Sequence, residues 1–583
     1  MFSKQRLNSP KKTLFFVRKL TSMNYRHLIP FKNMLYLFYF IFFDTLISLC
    51  RFFCYIYKCK IHTYNLFQMK KTTLLLLLLT FCSQSIVAQK ESTVITIKKN
   101  ENAPTINKNI YGHFAEHLGR CIYGGFFVGD TSKIPNTAGV RNDIVAALKD
   151  LKIPNLRWPG GCFADTYHWK DGIGPKEQRP TIVNQWWGGV TEDNSFGTHD
   201  FLNMCELLGA EPYLAGNVGS GTVQELADWV QYVNFAGKSP MSDLRVKNGR
   251  KEPWKVKIWG VGNEAWGCGG NMTADYYAGE YRKYATFMSD WTNTGGLMRV
   301  ASGASSDDYN WTETLMKNVP GSLLGGVALH HYSVIDWNKK GDAVDFAEDI
   351  YFRTMTEALK MEELVTKHSA IMDKYDPKKK IDLVVDEWGG WYEVEKGSNP
   401  GFLYQQNTMR DAVLAGSTLN IFNNHAERVR MANLAQCVNV LQAVILTDKT
   451  KMLLTPTYHV MKMYAVHQDA KLIPLTFESP LYTFNDKSLP AINVSASKDA
   501  KGLTHISLVN VDSKKANKIE IYLNELGIKT VTGNILTSSK LQDHNTFDNP
   551  TKIQPTVFKG FEIKKGKLEI VIPPFSVVTL EGK

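Results

Sequence analysis

The chain is poor in cysteine, with nine in 583 residues, and four of those fall within residues 1–88. The five that follow, Cys121, Cys162, Cys205, Cys268 and Cys437, are too few to staple a fold, so a large apolar core must carry it. Charge of one sign is also scarce where it would matter. The formal net charge is +12, yet residues 1–88 hold 13 of the 68 Lys and Arg and one of the 56 Asp and Glu, which leaves 55 of each in 89–583. A balanced body offers no basic footprint, which excludes nucleic acid as a partner. No long linker, low-complexity tract or internal repeat is present.

What the N-terminus does have is apolar. Met69-Lys-Lys-Thr-Thr, then Leu74 to Leu79, then Ile86-Val-Ala88 has the three parts of a secretory signal: a cationic start, a short apolar centre and a small residue before the cut. Residues 69–88 are therefore expected to be a signal peptide, cleaved after Ala88, and the protein to be exported, periplasmic or secreted. The run is too short for a membrane span, and Phe81 ahead of Cys82 is a poor lipoprotein site, so no membrane attachment is expected after cleavage. A signal must begin a chain. Met69 is thus the expected start, and 1–68 an upstream extension included in error; the other reading, an anchor over Met34 to Cys50, is interrupted by Asp44.

From about 110 to 470 strand-like and helix-like segments alternate, the pattern of a parallel sheet with helices outside. Strands are predicted at Asn155–Arg157, Pro212–Gly216, Lys257–Gly262, Arg299–Gly303, Val327–His330 and Leu383–Glu387. Helical spacing covers Ile144–Leu151 and Asp275–Met288, the second after a Thr273 cap. The expected fold is a (β/α)8 barrel. After about residue 470 the texture changes to short alternating runs such as Leu503–Val509, Lys518–Tyr522 and Lys567–Ile572, an antiparallel β-sandwich over 471–583. Thr93–Lys99 alternates in the same way, so 89–109 is expected to lend that sandwich a strand.

Two glutamates stand where such a barrel carries its chemistry. Glu264 closes Val256-Lys-Ile-Trp-Gly-Val-Gly-Asn-Glu, and Glu387 closes Ile381-Asp-Leu-Val-Val-Asp-Glu; Trp and Gly follow each closely. The 123 positions between them suit about three βα units of ~40 residues, which puts the pair on the fourth and seventh strands. Glycoside hydrolysis with retention needs two carboxyl groups about 5–5.5 Å apart, one as acid/base and one as nucleophile. Either glutamate alone could be a structural ion-pair partner. Together, with Asn263 beside Glu264 as an amide suited to a sugar 2-hydroxyl, they point to that chemistry.

Other motifs have two readings each. His113-Phe-Ala-Glu116-His117 spells H-x-x-E-H, a zinc-peptidase pattern for which Glu192 could be the third ligand. That motif needs both histidines on one helical face, whereas glycines at 112 and 119 and the extended Asn109-Ile-Tyr favour a strand end and loop. Arg157, ahead of a Pro-Gly-Gly turn, is either structural or an orienter of a nearby carboxylate. His330-His331-Tyr332 is either packed or a polar rim over a sugar, and its strand-end position favours the rim. Trp186, Trp187, Trp266, Trp388 and Trp391 are either core or platforms for sugar faces.

With these residues in hand, about 90–583 resembles an α-L-arabinofuranosidase of glycoside hydrolase family 51. The resemblance is carried by Gly112 to Gly125, Leu156-Arg-Trp-Pro-Gly-Gly161, Gly262-Asn-Glu264, Leu329-His-His-Tyr332, Asp386-Glu-Trp-Gly-Gly-Trp-Tyr392 and Met431 to Asn439. It implies a barrel plus a sandwich completed by an N-terminal strand. It also implies release of terminal α-L-arabinofuranose from plant arabinan, arabinoxylan or arabinogalactan, with no metal or organic cofactor, and hints at a homo-oligomer. Carried over residue by residue, Glu264 is the acid/base and Glu387 the nucleophile. Glu116, Arg157, Asn263, His330, Tyr332 and Gln436 are polar contacts to the furanose or the nucleophile, and Trp391 is a wall. Where many members have Asn after the Pro-Gly-Gly turn this chain has Cys162, which alters one sugar contact. Cys162 and Cys268 should border the same mouth, either bridged or as two free thiols. The rival readings are a retaining endo-β-glucanase or β-xylosidase on the same scaffold, a non-catalytic carbohydrate-binding protein, and the zinc peptidase.

Overall fold

A computed structural model describes residues 92–583 apart from 99, 101, 294, 524 and 525. The expectations for 1–68 and for 69–88 lie outside the described residues. The described chain opens with β1 (Thr93–Ile97) and then builds eight parallel strands that close into a barrel. These are β2 (Gly112–Phe114), β3 (Asn155–Trp158), β4 (Glu211–Gly216), β5 (Ile258–Val261), β6 (Met298–Ser305), β7 (Gly326–Ser333), β8 (Asp382–Gly390) and β9 (Val429–Leu434). Strands enclosed by helices on one side and packed lumen on the other are apolar almost throughout, which is why Ile258-Trp-Gly-Val261 reads as a continuous buried run. Tyr213, Ile258, Val300, Ala328, Val384 and Met431, one from each of β4 to β9, fill the lumen as a cluster of their own. The lumen is packed, so the chemistry is confined to the mouth.

The six predicted strands fall on β3 to β8. The sequence reading did not pick out β2 or β9. β2 is three residues long, and in β9 Arg430 breaks the apolar run by reaching out to Asp382 (Nη1–Oδ1 2.6 Å) while Val429 and Met431 are buried. Among the helices, α1 (Asn142–Asp150) and α2 (Ala274–Phe287) occupy the segments with helical spacing, and the Thr273 side chain accepts the Tyr276 N–H at the start of α2. The 28-residue α3 (Glu348–Tyr375) links β7 to β8.

α4 (Met409–Asn424) differs from these, because Met409 to Asn423 are all buried. A helix with no solvated face must be covered on every side. Tyr111 donates to Asn423 Oδ1 (2.8 Å) from the barrel side, and Asn424 Nδ2 donates to the Val494 carbonyl (2.9 Å) of the sandwich. α4 is therefore the joint between barrel and sandwich. The sandwich strands begin at Lys471 and form a five-stranded and a six-stranded sheet around Ile95, Val494, Leu508, Ile519, Leu568 and Leu580. β1 enters the smaller sheet, parallel to Asn517–Tyr522, with Thr93 opposite Ile519 and Ile95 opposite Ile521.

Candidate active site

The mouth of the barrel holds a cavity of about 610 Å³, and Glu264 and Glu387 both line it. Glu264 follows β5 in a left-handed conformation, φ 38°, which a non-glycine residue adopts at a cost. The turn is held on both sides. Ala265 N–H donates to Ser302 Oγ (3.0 Å), and the N–H groups of Gly267 and Gly269 donate to the Glu264 carbonyl (2.7 and 3.1 Å).

Glu387 sits within β8 and is buried. Its Oε1 accepts from Arg157 Nη1 (2.7 Å) and its Oε2 from the Tyr332 hydroxyl (2.7 Å). The Arg157 fork also donates from Nη2 to Asn263 Oδ1 (2.6 Å), so one guanidinium orients both the nucleophile candidate and the amide beside Glu264. A carboxylate oxygen of Glu264, one of Glu387 and a ring nitrogen of His330 all lie within 4.8 Å of one another.

Asp386, which the sequence reading did not single out, also faces inward. In a regular strand Asp386 and Glu387 would point to opposite faces. Against β7, however, Ala328 pairs with Val384 and His330 with Glu387, so β8 carries an extra residue at this point, and a bulge of that kind re-aims side chains. Asp386 accepts from Tyr213 Oη (2.8 Å), lies 3.0 Å from His330 Nε2 and 3.7 Å from Arg157 Nε. Burial would raise its pKa, but the charges of Arg157 and His330 outweigh that and hold it below the ordinary range.

His330 Nδ1 lies 2.9 Å from Glu264 Oε1 and 3.6 Å from Glu387 Oε2. Burial opposes a charge on the imidazole, yet the carboxylates of Glu387 and Asp386 prevail and lift its pKa to about 10. The pKa of Glu264 is raised, chiefly by burial; the hydrogen bond from His330 opposes the rise and the charge of Glu387 adds to it. Burial and the neighbouring carboxylate thus favour the protonated form of Glu264, and His330 favours the ionised one.

Glu116 closes the far side. Its Oε1 accepts from the N–H groups of Gly161 (3.0 Å) and Phe163 (3.1 Å) and from Trp187 Nε1 (2.9 Å), and its Oε2 from Gln436 Nε2 (2.8 Å). Burial and the charge of Glu387 push its pKa up to about 7 against those donors.

Nine of the ten residues predicted for the site line the cavity; the exception, Arg157, lies behind Glu387. Of the tryptophans, Trp187, Trp266 and Trp391 line it, Trp186 is exposed, and Trp388 is in the core against Phe422. Cys162 and Cys268 are bridged, with Cα atoms 5.4 Å apart, and their sulfurs lie 4.0 and 3.6 Å from Glu264 Oε2. The bridge packs beside the acid candidate and ties the loop after β3 to the loop after β5.

Of the residues in the zinc reading, His117 Nδ1 does lie 3.7 Å from Glu192 Oε2, but the set does not come together as ligands. His113 is inside β2, where burial lowers its pKa to about 3, and His117 stacks on Phe163 (4.6 Å) while Trp158 Nε1 donates to its Nε2 (3.2 Å). Glu116 has four donors of its own. Among the described residues, the groups that bring three possible ligands together are Cys162, Glu264 and Cys268, and Glu264, His330 and Glu387. The first contains a disulfide, and the second is the pair of candidate carboxylates with His330 between them.

A closed eight-stranded barrel with two close carboxylates from its fourth and seventh strands defines a glycoside hydrolase. Comparison with known proteins agrees with this. Residues 147–345 match the model described as "Alpha-L-arabinofuranosidase 1 domain", and 386–576 that described as "Alpha-L-arabinofuranosidase C-terminal domain". The chain is 52% identical over 86% of its length to an intracellular exo-alpha-L-arabinofuranosidase of Bacteroides ovatus, covering 97% of that protein. It is similar to the solved family 51 arabinofuranosidase of Xanthomonas axonopodis pv. citri (46% identity, TM-score 0.83), covering 84% of this chain and 100% of that one. It is also similar to the arabinose complex of the Thermotoga maritima enzyme (32%, TM-score 0.74), covering 84% and 99%. The chain belongs to the α-L-arabinofuranosidases of glycoside hydrolase family 51.

One expectation is overturned here. The reading of 69–88 as a signal peptide, and of the protein as exported, periplasmic or secreted, conflicts with the Bacteroides ovatus relative, which is named intracellular. The physical reason is that the signal pattern is a short one, two lysines and six leucines, which composition alone can produce.

Proposed function

We propose that this enzyme removes terminal α-L-arabinofuranosyl residues, with retention, from arabinose-containing oligo- or polysaccharides such as arabinan, arabinoxylan or arabinogalactan. The carrying observation is the closeness of Glu264 and Glu387, with one oxygen of each within 4.8 Å, which accords with the about 5–5.5 Å separation of retention and falls short of the about 6.5–9.5 Å of inversion. In the first step a Glu387 oxygen attacks the anomeric carbon, the glycosidic C–O bond breaks, and the Glu264 proton passes to the leaving oxygen. In the second, Glu264 takes a proton from water, whose oxygen attacks the anomeric carbon and releases Glu387. Glu116, Asn263 and Gln436 present hydrogen-bonding groups to the sugar, Cys162 borders it as half of a disulfide, and Trp391 walls the pocket with its ring against Tyr332 (5.1 Å). Trp187 and Trp391 wall the cavity on the sides of Glu116 and Tyr332, and action on chain ends is the reading we take from the exo-acting relative.

Alanine variants test the roles. On an aryl arabinofuranoside whose leaving group needs no proton, Glu264→Ala forms the glycosyl-enzyme and then stalls, and azide restores turnover; Glu387→Ala forms no intermediate. Azide rescue of Glu387→Ala with retained product would reverse the assignment.

A further inference from the structure

We propose that Asp386 is a positioning residue that keeps His330 as an imidazolium between the two catalytic carboxylates, so that one fixed positive charge serves whichever of them is negative. The proposal deepens the reading above and rests on its assignment of Glu264 and Glu387.

The negative charge of the site changes place during double displacement. Before attack Glu387 is the carboxylate and Glu264 carries the proton. After attack Glu387 is an uncharged ester, and Glu264, having given its proton to the leaving oxygen, is the carboxylate. A cation fixed beside either one alone would favour one step and oppose the other. His330 Nδ1 stands between them, 2.9 Å from Glu264 Oε1 and 3.6 Å from Glu387 Oε2, within Coulombic reach of both. An imidazole can play this part only if both nitrogens carry protons, and a buried ring does not hold a charge unaided.

Asp386 supplies the aid. Its Oδ1 takes Nε2 at 3.0 Å, it does not itself line the cavity, and it is anchored by the Tyr213 hydroxyl. Neither catalytic step protonates or esterifies Asp386, so its charge stays constant through the cycle. The other charged and titratable groups facing this cluster are Arg157, which pairs with both Asp386 and Glu387, Tyr332 on Glu387, and Glu116 across the pocket. The direction of the His330 shift, upward to about 10 because of Glu387 and Asp386, accords with the geometry.

Asp386→Asn tests this in the full chain. Losing the anion lets Nε2 lose its proton, and the glycosyl-enzyme loses the cation that favours ionised Glu264. With an activated aryl arabinofuranoside, the variant is expected to keep its burst of aryl release. Its steady-state kcat should fall about tenfold or more, as when a charge-assisted hydrogen bond is lost. The acidic limb of kcat and the basic limb of kcat/KM should both move to higher pH, since both follow Glu264. Azide, which needs no base, should restore turnover. Loss of the burst, unmoved limbs, or a deficit that azide leaves in place would each mean a merely structural Asp386. Should the variant fail to fold, the wild-type protein labelled with 15N-histidine decides: His330, identified by its absence in His330→Gln, is expected to show two protonated ring nitrogens at pH 7. A neutral ring there overturns the proposal. The separate Glu264→Ala experiment fails only if the catalytic assignment itself is wrong.

Discussion

A methyl group placed on Gly161 would lie 2.8 Å from Glu387 Oε1 and 3.3 Å from Asn263 Nδ2. The Pro-Gly-Gly turn after β3 therefore runs against the Glu387 carboxylate with no room for any side chain. Its backbone is not in the left-handed region, so alanine is conformationally allowed there and the obstacle is steric, the Glu387 carboxylate first and the Asn263 amide second. Gly161→Ala is expected to fold, at a cost of about 1–3 kcal/mol for overpacking. Displacing Glu387 should lower kcat/KM, by up to about 100-fold if the carboxylate moves by ~1 Å. Kinetics beside a thermal melt check this; near-normal kcat/KM in a folded variant would refute the close approach.

Glu116 should make stability fall as pH rises. Its pKa is raised from 4.5 to about 7 in the folded protein, by burial first and then by Glu387. Below pH 4.5 folded and unfolded states both hold the proton, and between about 4.5 and 7 the folded state alone holds it. The contribution is thus complete at low pH and lost through that window, up to about 3 kcal/mol. Glu116→Gln suits the same donors, because the Gln436 amide can turn its Oε1 toward the new NH2 group. Urea unfolding at pH 5 and at pH 7.5 should show a smaller difference in the variant than in wild type. An identical difference would mean that Glu116 stays ionised.

Of the five cysteines after residue 88, Cys121, Cys205 and Cys437 are free and buried, whereas Cys162 and Cys268 are bridged across 106 residues. Peptide mapping of the denatured, unreduced protein should find those three alkylated and one peptide pair joining 162 to 268. Replacing Cys268 by Ser should lower stability by about 2–5 kcal/mol, the effect of removing a cross-link over so long a loop. Alkylation of all five would eliminate the bridge.

Much of this protein was decided by local sequence. Apolar runs that end in Asn-Glu and Asp-Glu, spaced by three βα units, identify the fourth and seventh strands, because a strand buried on both sides must be apolar and the barrel confines polar groups to its C-terminal mouth. Alternation after residue 470 and over Thr93–Ile97 likewise marks a sandwich, since side-chain direction there has a period of two. Other features depend on meetings between distant segments, which no local pattern records. Asp386 looks like an outward neighbour of Glu387, but Val384 fills the lumen, so alternation already turns Asp386 inward, and it is Glu387 that the extra residue in β8 brings to the same face. His330 looks like a sugar contact until both ring nitrogens are found against carboxylates from β8 and the loop after β5. The bridge between Cys162 and Cys268, and the choice of Trp187 over Trp186 as a wall, needed distances set by the closure of the barrel. Sequence determined which residues would reach the mouth, through periodicity. Only the tertiary structure decided which of them touch, because hydrogen bonds and ion pairs act over a few ångströms between groups brought together by the packing of the whole barrel.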